Sequence, residues 1–137
     1  MKTIKFKKQI IALIFRRNIK ANGVKFLTPV DYTLQLGLIE HSKDHIVKDH
    51  IHRQDITYKV DTTQEFLYIE KGKVLVKLYT DQWKLIEKVV LGVGDFILFV
   101  SGGHGLKVLE DCRIIEIKQG PYPGDAHAKT YRKNKNE

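Results

Sequence analysis

Short runs of Val, Ile, Leu, Phe and Tyr recur along the chain, each closed within a few residues by a turn signal. The signals are Asn22-Gly23, Gly37, Lys71-Gly72, Thr80-Asp81, Gly92 with Gly94, Gly102-Gly103-Gly105 and Gly120-Pro121. That rhythm suits a sandwich or barrel, so the chain reads as all-β. Strands are expected over 9–16, 34–41, 46–52, 56–60, 65–71, 73–79, 85–91, 95–100, 105–109 and 112–119. One short helix is expected over 28–33. Thr28 is a good N-cap, Pro29 suits the first helical position, and Asp31 favours the first turn. No solenoid repeat, coiled coil or low-complexity segment interrupts the pattern.

A chain of 137 residues, 42% of them hydrophobic, fits one domain with a real core. Its net charge of +8 is unevenly placed. Residues 1–20 hold seven Lys/Arg and no acid, residues 129–137 carry +3, and residues 21–128 sum to −2. The expected division is a basic N-terminal strand or arm over 1–22, a barrel over 23–124 and a basic, solvated tail over 125–137. A nucleic-acid binder would rather carry a basic face with interleaved aromatics on its folded body, so no nucleic-acid partner is expected. The apolar run from Ile10 to Phe15 is six residues long, with Arg16-Arg17 after it. That is short for a signal core and far short of the ~20 residues that span a bilayer, so a cytoplasmic protein without a membrane partner is expected. Cys112 is the single cysteine, which excludes an internal disulfide; its surroundings mark it as a packing residue.

The chemistry gathers in three places. On a strand, residues two apart share a face, so His50 and His52 present both imidazoles to one point. Glu65 opens a later apolar run and shares a face with Leu67 and Ile69. A carboxylate on an interior face needs a partner. His104 stands in Gly102-Gly103-His104-Gly105, where glycines let the chain turn sharply and carry the imidazole inward. No Lys-Ser/Thr and no following helix accompany those glycines, so a phosphate-binding P-loop is not expected. His50, His52, Glu65 and His104 together make a candidate divalent-metal site with coordination positions to spare. Glu116 and Lys118 share a face with Cys112 and Ile114, as the lining of a cavity or as a solvent face.

These residues resemble the motifs of the cupin superfamily. His50 and His52 match its HxH pair, and Glu65 with Gly72 matches its E-x6-G spacing. Gly94-Asp95 and Gly102 match its second motif, and His104 is nearest to that motif's histidine. Twelve residues separate His52 from Glu65, where the family has a short link, and Val100 stands where the family has Pro. The stretches Phe26-Leu27-Thr28-Pro29, Thr63 to Ile69, Ser101 to Gly105 and Lys118 to Tyr122 are similar to a group of small bacterial cupins that accompany surface-polysaccharide genes. The resemblance implies a single-domain cupin, a double-stranded β-helix or jelly-roll barrel with an extra N-terminal strand.

Three activities follow as expectations. The first is a metal-dependent isomerase, epimerase or oxygenase holding Fe, Mn, Ni or Zn. The second is a metal-free sugar-modifying cupin with a histidine as acid or base, for which His41 and His45 are candidates. The third is a non-catalytic binding or sensing barrel. No catalytic residue is assigned among them. The expected ligand is an anionic, carbohydrate-derived small molecule, a sugar nucleotide or sugar phosphate. Arg53, Lys118 and Tyr122 would bind it, as cationic donors and an aromatic surface. A homodimer is expected because cupins of this size commonly pair and the N-terminal strand needs a neighbour.

Overall fold

The computed structural model describes residues 1–121 and 123–133, residue 125 by its backbone alone. The described strands are β1 (Lys2–Phe6), β2 (Gln9–Phe15), β3 (Gly23–Phe26), β4 (Gly37–Glu40), β5 (Glu65–Tyr79), β6 (Leu85–Gly92), β7 (Phe96–Phe99) and β8 (Gly103–Lys118), followed by a short helix, α1 (Asp125–Ala128). The protein is all-β. It divides into two compact units, residues 1–17 with 63–137, and residues 18–62. Among the described residues no helix is long and apolar enough to cross a membrane.

The larger unit is one curled antiparallel sheet in the order β1-β2-β7-β5-β6, with β8 on the other side of β5. Strand β5 organises it. Its first four residues pair with β7, its last seven with β6, and both halves pair with β8. The two halves meet at Gly72, whose φ is +81°, and the β5–β8 register shifts three times between Ile69 and Val74. The shifts have a packing reason. Leu67 and Ile69 face the core at odd positions, while Val74, Val76 and Leu78 do so at even ones. Inserted residues change the phase of the alternation, so both halves keep their apolar side chains inward and the strand bends. The 65–71 and 73–79 runs are therefore one strand, as are 105–109 and 112–119.

The core joins Ile4, Ile11, Ala12 and Ile14 of the N-terminal hairpin to the inward residues of β5, β6 and β7. The extra N-terminal strand is thus a hairpin, β1 with β2, joined to the sheet through β7. Cys112 packs against this core beside Ile114. Asp95 ties β2 to the β6–β7 turn. It is 8% exposed and accepts hydrogen bonds from Arg16 Nη1 at 2.7 Å, Arg17 N at 3.1 Å and Gly92 N at 3.1 Å.

The smaller unit holds the β3–β4 hairpin. Residues 28–33 are not the expected helix but part of its connection. Tyr32 N–H donates to Pro29 O at 3.1 Å, and the Gln35 amide donates to Pro29 O and Tyr32 O at 2.8 and 2.9 Å. Thr28 Oγ1 accepts from Leu36 N at 3.0 Å, closing the loop rather than capping a helix. Side chains here take the carbonyls that helical N–H groups would have used. Residues 46–60 are irregular coil with a bend at 54–55, not the expected strands at 46–52 and 56–60. They have no ladder partner, and a strand is stable only when its backbone groups pair with another.

Candidate functional site

Glu65 begins β5 on the inward face, in register with Phe99 of β7 on one side and Lys118 of β8 on the other. Cross-strand partners share a face, so a ring, a carboxylate and an ammonium form one row at the end of the sheet. Lys118 Nζ lies 3.9 Å from Glu65 Oε2 and also pairs with Glu116.

His104 reaches the same place by another route. It stands at the start of β8, in register with Leu78 at the far end of β5. A straight strand from Glu65 to Leu78 would span about 43 Å at ~3.3 Å per residue. Yet His104 Nε2 lies 3.5 Å from Glu65 Oε1. The long β5–β8 ribbon therefore curls until its two ends meet. The sharp turn after β7 makes this possible. Gly102 there has φ +70°, and a Cβ on it would sit 2.4 Å from Tyr79 O, so the backbone passes where no other residue fits.

The His104 ring stacks on Phe99, with centroids 3.8 Å apart and planes within 5°. One face of the imidazole is thus fixed by packing and one nitrogen by Glu65. The side chains of Glu65 and His104 are 19% and 30% exposed, partly shielded but open to a ligand. The contact with His104 holds the Glu65 carboxyl below the usual carboxylate range. Burial opposes that shift, and the charges of His104, Lys118 and Lys129 reinforce it. The pair borders a cleft of about 280 Å³, walled by Thr63, Trp83, Phe99 and Ser101 and by residues 128–131. An imidazole held by a carboxylate beside an open cleft can move a proton to or from a bound molecule.

Of the other expected site residues, His50, His52 and Arg53 lie in the smaller unit. His50 and His52 stand on that irregular coil, with ring centroids 5.0 Å apart, and His50 Nδ1 is 2.9 Å from Lys48 O. Arg53 is engaged by Asp55, through Nε to Oδ1 at 2.9 Å and a second contact from Nη2. That partner raises the Arg53 pKa further above its usual value. His41 and His45 stack face to face with centroids 3.7 Å apart. Tyr122 lies outside the described residues. The structure thus brings together Glu65, His104 and Lys118.

Glu65 and His104 supply two donors, with an ammonium beside the carboxylate, where open metal sites use three protein ligands. Among the described residues no group of three His, Cys, Asp or Glu side chains is placed to hold a metal ion. Glu65 and His104 by themselves do not fit a resident metal.

Sequence reasoning missed Phe99 and Trp83. Phe99 lies near the end of an apolar run, three residues before the first glycine of that corner, and that nearness was its one signal. Nothing in the sequence pointed to Trp83. No family model, no curated protein and no solved structure matches the chain.

Proposed function

We propose that this chain is a cupin-type barrel that binds an anionic, carbohydrate-derived small molecule and moves a proton on it at His104. The reaction class would be isomerase- or epimerase-like. The observation that supports it is the Glu65–His104 pair stacked on Phe99 at the wall of a cleft. In this reading His104 is the acid–base group, because an imidazole works in both directions near neutral pH. Glu65 is a positioning residue that orients the ring. Lys118 supplies positive charge for a phosphate or carboxylate of the ligand. Carbohydrate is the preferred class on the cupin resemblance, which is an analogy of fold.

Isotope exchange tests the reading directly. Sugar nucleotides carrying a keto group, or able to form one, are incubated with the protein in D2O, and deuterium at the carbon beside the carbonyl is followed by mass spectrometry. Exchange is expected with the wild type and about a hundredfold less with His104→Ala, the usual scale for losing an acid–base group. Equal exchange in the two proteins would remove His104 from the role. Thermal stabilisation by the ligand with no exchange would leave a binding barrel in place of an enzyme.

Metal binding is a second reading, favoured by the two neighbouring imidazoles of His50 and His52. Elemental analysis of protein purified without chelator tests it. About one equivalent of Fe, Mn, Ni or Zn per chain supports this reading, as one complete ligand set would hold one ion. Trace content with no uptake of added metal ends it.

A further inference from the structure

The basic N-terminus has a place in the folded unit. Phe6 pairs with Gln9, so the β1–β2 hairpin turns on Lys7 and Lys8 alone. That turn and the β5–β6 turn line a second pocket of about 650 Å³, whose walls include Phe6, Lys7, Lys8, Asp81 and Lys84. It shares no lining residue with the cleft beside His104. The Nζ atoms of Lys7 and Lys84 lie 5.8 and 5.7 Å from the Phe6 ring centroid, so the ring draws two ammonium groups together. Among the described residues Lys7, Lys8 and Lys84 take part in no ion pair. Asp81 is the one carboxylate among the pocket's lining residues, so the pocket is strongly positive.

The turn itself adds a second observation. Lys7 has φ +54°, a conformation that glycine or asparagine normally takes in a two-residue hairpin turn. A lysine there holds an unfavourable backbone geometry while it lines the pocket. Strain of this kind is characteristic of binding sites.

We propose that this pocket binds a phosphate chain, either free or as the diphosphate or triphosphate of a nucleotide. Lysine is a point-charge phosphate ligand, and three of them complement several adjacent negative charges better than they complement the single charge of a carboxylate ligand. The pocket volume lies in the range of small-molecule sites. The inference does not depend on chemistry at His104.

The test uses the full chain and its single tryptophan. Trp83 lies in the β5–β6 turn, where its backbone N–H donates to Thr80 O at 3.0 Å, and it also borders the cleft beside His104, so its fluorescence reports on both and the variants assign the response. Tripolyphosphate, ATP and orthophosphate are titrated, the first two distinguishing a bare phosphate chain from a nucleotide. Either of them is expected to give a saturable change, tighter than orthophosphate and weakened by added salt. Half-saturation should rise about tenfold in Lys84→Ala and in Lys7→Gly, a loss of about 1.4 kcal/mol each. Lys7→Gly relaxes the turn, so it should melt no lower than the wild type, and weaker binding by it cannot be ascribed to unfolding. The proposal is overturned if neither compound saturates below about 10 mM, a Kd above which binding is negligible. It is equally overturned if both lysine variants bind as the wild type does, or if Lys118→Ala abolishes the response while Lys7→Gly leaves it intact.

Discussion

At the scale of single residues, the Glu65 carboxylate and the His104 imidazole matter most. His104 stabilises the charged form of Glu65, so the folded protein holds that carboxyl below its ordinary range. A depressed carboxylate contributes stability above the unfolded-state value, near 4.3, and loses it as pH falls through the folded-state value. Glu65→Gln should therefore lower the neutral plateau, where that contribution is present, and flatten the acid limb, so that the two proteins converge at low pH. Urea denaturation between about pH 3 and pH 7, which brackets the unfolded value, measures this, and parallel curves for the two proteins would contradict it. Asp95 carries a purely structural load. Asp95→Ala strands donors from Arg16, Arg17 and Gly92 and should cost about 2–4 kcal/mol, while Asp95→Asn should recover part of that loss.

Among the elements, the bend in β5 decides the architecture. A Cβ on Gly72 would fall 2.2 Å from Asp111 O, where only backbone is available to move, and the φ of +81° adds strain of its own. Gly72→Ala should cost about 3 kcal/mol or more, read from the urea midpoint. A loss under about 1 kcal/mol, within the range of ordinary surface changes, would mean that the bend is not fixed there. The sequence shows this bend as an interruption between two strands, because Lys71-Gly72 has turn chemistry. What it could not show is that the ladder to β8 continues through the bulges. That continuation depends on a partner strand more than thirty positions away. The same limitation explains 28–33, where each residue suits a helix start but Gln35 and Thr28 take the backbone groups for a loop.

At the scale of the whole molecule, β8 is the exposed margin of the sheet. It pairs only with β5 among the described residues, and Leu106, Val108, Leu109, Ile115 and Ile117 are all exposed. A long apolar edge invites another chain, whereas β1 at the opposite margin carries Lys2 and Lys5, which discourage pairing. A homodimer is the expected state, with a mass about twice 15.9 kDa by light scattering. Ile117→Lys should shift it towards monomer, and a monomer at every concentration of the wild type would refute the expectation. The all-β class and most strand positions in the larger unit were legible in the sequence, because alternation and turn chemistry are local properties. Glu65 and His104 were legible as chemistry, since an inward carboxylate and a histidine at a glycine corner both call for a partner. That they partner each other was decided by the curl of the β5–β8 ribbon, which joins strand ends that a flat sheet would hold about 43 Å apart. The curl arises from three register shifts and from close backbone passages at Gly72 and Gly102. Such contacts join residues far apart in the chain, so no local pattern encodes them.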